Sequence, residues 1–276
     1  MLNSTHFCNL RSTRAHCLLG EIVTQGRHHA KRASGTTGQP RRAFRTAEVL
    51  IAVAAGIFVV GILVGFLVVG HHGGGPIQGW DNTVERWFPS HRGPLVGVSK
   101  FIATYLDAAP LAVICLGLSA VLAVTLRSIR ALIPIVAYLG SEFQVFAIRH
   151  VILRHRPPTA NYPAPGAVRG VHETSYSFPS GHSVAVTAVL FALLGTIALT
   201  YRICWPWLIA LLGSLYVIDT RLVLGVHWFS DVTFGLLIGI TWGVTVAIVA
   251  CNVEWVDLVA IVRPSLRQSL DAQTSD

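Results

Sequence analysis

The sequence predicts an all-α fold, a polytopic membrane bundle of six transmembrane helices. Three observations predict it. Of the 276 residues, 53% are hydrophobic and only 12% are charged, whereas a soluble domain carries about 25% charged residues. Six apolar stretches approach the length that crosses a hydrocarbon core of about 30 Å. Gly, Pro and Trp mark the connections between them. The bilayer is the solvent such a chain expects, with membrane lipids as neighbours and no nucleic acid as partner.

The first stretch, Val49–Gly70, contains no charge. Ala108–Leu126 is the second, and Ala131–Ala147 the third, interrupted by Glu142. Ser183–Tyr201 is the fourth, Cys204–Ile218 the fifth, running into Asp219, and Val232–Val253 the sixth. The connection after the first holds Trp80, Trp87 and Phe88, which suit the headgroup region. The adjoining "LVGVSKFIATYL" is too polar for a span and reads as an interfacial helix. A long proline-rich loop joins the third and fourth spans. GxxxG spacings at Gly61–Gly65 and Gly235–Gly239–Gly243 predict close helix packing inside the bundle.

Charge is uneven. Residues 1–47 hold eight Arg/Lys against the single acid Glu21, which accounts for +7 of the formal +8. They read as a disordered basic cytoplasmic tail near anionic lipid, an organelle transit peptide being the alternative. Residues 48–255 are the membrane domain and 256–276 a cytoplasmic C-terminal tail. Six spans place both termini on one side, whose flanks carry ten Lys/Arg against eight opposite. The positive-inside rule then sets the termini in the cytoplasm of a cell-membrane protein. Five scattered cysteines show neither CxxC nor metal-ligand spacing, so no disulfide framework is expected.

Under this topology three polar clusters emerge on the side away from the termini. In "RHVILRHRP" Arg149 and Arg156 stand seven apart, two helical turns, so a helix continuing to Arg156 would aim both guanidinium groups at one place. In "PSGH" Pro179 and Gly181 shape a turn and Ser180 is placed to cap the helix that follows. The unpartnered N–H groups of that helix start form an anion site with His182 at its edge. In "TRLVLGVHWFSD" His227 and Asp231 stand four apart, so the carboxylate reaches the imidazole. A carboxylate on one ring nitrogen leaves the other with a free lone pair. Arg221 adds a third guanidinium. Singly, these clusters read as snorkelling arginines, a capped helix start and a self-satisfied His–Asp pair. Together they describe a phosphate pocket, because arginine forks match phosphate oxygens and charge at membrane depth is functional by default.

The series Arg149-x6-Arg156-Pro157, Pro179-Ser180-Gly181-His182 and Thr220-Arg221-x5-His227-x3-Asp231 resembles the three motifs of the type-2 phosphatidate phosphatase superfamily, in its membrane lipid phosphatase branch. Arg149 stands where the family pattern has lysine, keeping the charge. Thr220 stands where it has serine, keeping the hydroxyl. The resemblance implies that His227 attacks phosphorus to form a phosphohistidine, with Asp231 orienting it. It implies that His182 protonates the leaving oxygen and later activates water. Arg149, Arg156, Arg221, Ser180 and the Gly181 amide would then hold the phosphate oxygens. No metal or other cofactor is expected. The implied substrate is a lipid phosphate or polyprenyl diphosphate whose tail stays in the bilayer, met on the extracytoplasmic face. Rival readings are a lipid phosphotransferase using the same pocket and a non-catalytic lipid-phosphate binding or transport protein. Glu142 reads as the partner of an arginine or a backbone group. His150, His155 and His172 read as loop and headgroup contacts.

Overall fold

A computed structural model describes residues 39–90, 95–158 and 175–252. The expected C-terminal tail, residues 1–38 of the N-terminal tail and His172 lie outside the described residues. The bundle belongs to one unit, Thr46–Asp276. Its helices are α1 (Gln39–Val64, continued by a π-helical turn Gly65–Val69), α2 (Gln78–Ser90), α3 (Leu95–Tyr105) and α4 (Ala108–Leu126). A short 3₁₀ turn, Ile129–Leu132, leads into α5 (Ile133–Ile152), followed by α6 (Gly181–Tyr201), α7 (Trp205–Val223) and α8 (Phe229–Asn252). Helix α1 begins at Gln39, so residues 39–47 of the expected disordered tail are helical.

Six helical segments are long and apolar enough to cross a bilayer: Glu48–Val69, Ala108–Leu126, Ile129–Ile152, Gly181–Tyr201, Trp205–Val223 and Phe229–Asn252. The chain is a multi-pass membrane protein. Two spans outrun their sequence-based ends. The fifth passes Asp219 to Val223, because Thr220 and Arg221 turn into the protein and are buried there instead of meeting lipid. The third extends to Ile152 and stops at Leu153, a left-handed cap (φ 56°) whose N–H bonds the Arg149 carbonyl. A helix continuous to Arg156 is therefore corrected. Pro157 disfavours helical geometry at the residue before it, and Arg156 lies outside any helix or strand.

Helix α6 is central, touching α5, α7 and α8. Glycine brings α8 against it backbone to backbone. A Cβ built on Gly239 would meet the Val184 carbonyl oxygen at 2.7 Å, and one on Gly243 the Ala188 oxygen at 2.6 Å. Gly61 likewise makes room for the Ile148 side chain. These GxxxG positions pack within the chain, as expected. By contrast α1 and α4 leave most of their surface to lipid.

The two short helices are not mere interface decoration. Helix α2 exposes Trp80 and Trp87 yet buries Asp81 and Glu85. Helix α3 packs on α7, and its Ala103 clusters with Leu224 and Val226. Both short helices thereby reach the end of the bundle where α5 and α7 finish and α6 and α8 begin.

Candidate active site

That end of the bundle holds a cavity of about 270 Å³. Arg149, Gly181, His182 and His227 line it, together with Ser175, Asp107 and Glu142. Three clusters far apart in sequence thus open onto one space.

His227 is fully buried in the turn between α7 and α8. Its Nε2 lies 3.1 Å from Arg156 Nη1. A guanidinium has donors only, so Nε2 is the acceptor and the ring proton sits on Nδ1. Nδ1 faces Asp231 Oδ2 at 3.5 Å and Ser177 Oγ at 3.4 Å. The Ser177 hydroxyl donates to the same carboxylate oxygen, as does the Trp228 N–H at 2.9 Å. Asp231 sits in the first turn of α8, where the helix dipole favours a carboxylate. The His–Asp pair read from the i, i+4 spacing is thus formed, with Nε2 presenting its lone pair.

His182 is held differently. Its Nε2 donates to the Ala103 carbonyl at 3.1 Å, and the exposed carboxylate of Asp107 stands 4.0 Å away. Ala103 comes from the last turn of α3 and Asp107 from the α3–α4 connection, neither of which the sequence reading assigned to the site.

The two arginines of the first cluster converge even though no helix joins them. Arg149, in the last turn of α5, donates from Nε to the Pro179 carbonyl at 3.1 Å and from Nη1 to Ser175 Oγ at 3.2 Å. Arg156 donates from Nε to the Ser175 carbonyl at 2.8 Å and from Nη2 to Ser175 Oγ at 3.0 Å. Its Nη1 also donates to the Val226 carbonyl at 2.9 Å. Gly181 is needed here, because a Cβ at that position would stand 3.2 Å from Arg149 Nη2.

Ser180 occupies the N-cap position of α6, but its side chain makes no capping bond, a correction to the sequence reading. Its oxygen instead accepts from Ser183 Oγ at 3.0 Å, while its N–H donates to the Asp231 carbonyl at 3.1 Å. Arg221 is fully buried in the last turn of α7. Its carbonyl accepts the N–H of Val226, beside His227. Arg156, Ser180, Arg221 and Asp231 are not among the cavity-lining residues; they support those that are. Glu142 faces the cavity and makes no hydrogen bond to the backbone among the described residues.

Sequence reasoning missed Arg154, which is wholly buried. Its Nη1 donates to Asp231 Oδ1 at 2.6 Å and to Ser230 Oγ at 2.7 Å. Its Nη2 donates to Asp81 Oδ2 at 2.6 Å and to Gln78 Oε1 at 3.0 Å. The guanidinium also stacks 5.2 Å from the Trp228 ring centroid. The available signal was a third arginine inside "RHVILRHRP" and an acid in the otherwise interfacial segment "GWDNTVERW".

Residues 130–254 match the sequence model of the PAP2 superfamily. Over this stretch the chain resembles the PAP2 superfamily. All three clusters fall inside the matched residues, whereas Asp81, Ala103 and Asp107 precede them. Over 91 residues the chain is 32% identical to an undecaprenyl-diphosphatase of Sulfolobus acidocaldarius, a stretch that is 33% of this chain and 41% of the relative's length. In fold, it resembles the crystal structure of a transmembrane PAP2-type phosphatidylglycerolphosphate phosphatase from Bacillus subtilis. That match has a TM-score of 0.57 at 22% identity and covers 71% of this chain and 93% of the other.

Proposed function

We propose that the protein is an integral-membrane phosphatase that hydrolyses a lipid phosphate or polyprenyl diphosphate through a phosphohistidine on His227. The observation that carries this reading is His227, whose Nε2 accepts from Arg156 and whose Nδ1 faces Asp231, lining a cavity that His182 also lines. Binding alone requires no nucleophile.

In this reading the phosphoryl oxygens take the donors of Arg149, Arg156 and the first turn of α6. Arg156 exchanges its bond to Nε2 for the phosphate. The Nε2 lone pair then forms the P–N bond while the P–O bond to the lipid breaks. His182 gives its proton to the departing oxygen. The imidazole ring becomes cationic as it is phosphorylated, and Asp231 stabilises that charge through Nδ1–H. In the second half, His182 takes a proton from water, the oxygen attacks phosphorus, and inorganic phosphate leaves with the histidine restored. Positioned donors around spread anionic charge are the main catalytic resource in phosphoryl transfer. The relatives act on lipid-anchored phosphates by their names, and a cavity at the end of a membrane bundle suits a substrate whose tail remains in the bilayer. The weak excess of basic flanks on the terminal side supports a cavity on the extracytoplasmic face.

The test is a panel of lipid monophosphates and polyprenyl diphosphates, presented to purified protein in detergent containing EDTA. Phosphate release and an acid-labile label on His227 are the expected results. A requirement for added magnesium, or label on another residue, would overturn the mechanism. Transfer of the label to an added acceptor lipid in preference to water would make the protein a phosphotransferase.

A further inference from the structure

We propose that Arg154 and Asp81 are positioning residues of this reaction: with Asp231 they form a buried strap that aims the carboxylate at His227 and leaves one net negative charge beneath it. The inference rests on the phosphohistidine reading and extends it to a residue outside the PAP2 match.

The geometry has three parts. Arg154 occupies Asp231 Oδ1 at 2.6 Å, so only Oδ2 remains for His227, Ser177 and the Trp228 N–H. The carboxylate plane is thereby fixed from its far edge. Arg154 in turn is fixed by Asp81, whose Oδ2 accepts from Nη2 at 2.6 Å. Asp81 also accepts the N–H of Ser230 at 2.8 Å and its hydroxyl at 2.6 Å. It therefore ties α2 to the first turn of α8, next to Asp231 itself. All three charged groups are wholly buried.

Charge explains why a second carboxylate is there. A guanidinium stays protonated in proteins. If Arg154 were paired with Asp231 alone, the pair would be neutral. It would then do little for the positive charge that appears on His227 when phosphorus is bound. Asp81 supplies the missing acceptor, so two carboxylates against one guanidinium leave one net negative charge in a buried site, where charge acts most strongly. A hydrogen-bonded guanidinium between two acids also gives each of the three charges an opposite partner, which burial demands, although Arg154 Nε itself makes no hydrogen bond among the described residues.

The test uses full-length protein in detergent and four variants: Asp81→Asn, Arg154→Lys, Arg154→Gln and the double variant Asp81→Asn with Arg154→Gln. Folded fraction is followed by gel filtration and thermal shift. KM and the single-turnover rate of His227 phosphorylation are measured separately. Asp81→Asn should slow phosphorylation on the order of 10–100-fold, the usual effect of removing an outer partner of a working histidine, with KM little changed. Arg154→Gln alone leaves two facing carboxylates and should lose more, or fail to fold. The double variant again leaves a single carboxylate charge on Asp231, with the amide introduced by Arg154→Gln as its donor. It should phosphorylate faster than either single variant, a non-additivity that marks coupled residues. Arg154→Lys keeps the charge and should recover part of the rate. Three results would sink the proposal: an Asp81→Asn variant as fast as wild type, a double variant no faster than Asp81→Asn, or rates that fall only as folded protein is lost. Wild-type protein that never labels His227 would instead remove the underlying reading, and the strap's role with it.

Discussion

The two histidines of the cavity are held in opposite ways. His227 has a defined partner on each ring nitrogen, in a turn whose neighbours Ser177, Trp228 and Asp231 are all buried. At His182 the Ala103 carbonyl lies 3.1 Å from Nε2, and the carboxylate of Asp107 beside it, at 4.0 Å, is exposed. A nucleophile must offer one lone pair along one line, so its ring has to be fixed. A group that first gives and later takes a proton must serve two differently placed oxygens, and an exposed carboxylate neighbour suits that work. The contrast matches the roles proposed for them.

The largest expected effect breaks the contrast outright. His227→Ala should lose all turnover and all covalent label, because no neighbouring group replaces the nucleophile; residual labelled protein on a gel would contradict this. His182→Ala should be selective. Acid catalysis is typically worth about 10²–10⁴-fold, and it matters most when an alkoxide departs. Single-turnover phosphorylation should therefore fall by that order on an alkyl phosphate and far less on p-nitrophenyl phosphate. Equal losses on both would show that His182 does not act as the acid.

Smaller effects sharpen the comparison. Gly239→Ala places a methyl group 2.7 Å from the Val184 carbonyl oxygen and should cost about 1–3 kcal/mol through overpacking. Thermal unfolding in detergent would report it. It should disturb both histidines together, since α6 carries His182 and α8 begins two residues after His227. Gly181→Ala presses on Arg149 at 3.2 Å and should raise KM several-fold, roughly a 1 kcal/mol effect, while leaving His227 labelling at saturation nearly intact. An unchanged KM would remove Arg149 from phosphate binding. Least in magnitude, but decisive for topology, is labelling. With native cysteines replaced by serine, Thr83→Cys should react with an impermeant thiol reagent on intact cells, and Arg127→Cys only after lysis. The reverse pattern would invert the protein in the membrane.

The spans and the three clusters are legible in the sequence because each is local: apolar length, a Pro-Ser-Gly-His turn, a His four residues before an Asp. What escapes is non-local. Arg154 reads as one more snorkelling cation because its acid, Asp81, lies 73 residues upstream on a helix whose tryptophans speak for the interface. Ala103 contributes only a carbonyl, which no side-chain pattern can announce. Arg149 and Arg156 do converge, but not along a shared helix face. A left-handed cap at Leu153 ends the helix between them, and Arg154 and Arg156 reach the site from the non-helical segment that follows. One of these arginines reaches Asp231 and the other His227.

The glycine seam between α6 and α8 has a further consequence. Helix α6, which carries His182, and α8, which begins just after His227, touch backbone to backbone, whereas α1 and α4 stand largely in lipid. Hydrophobic mismatch is accommodated by helix tilt and by deformation of the bilayer, and here the outer spans are free to tilt while the inner pair moves as one rigid rod. The separation of His227 and His182, the proposed nucleophile and acid, is thus insulated from bilayer thickness. Reconstituted into vesicles of short or long acyl chains, the protein should keep the same phosphorylation rate at saturating substrate even as its outer helices adjust.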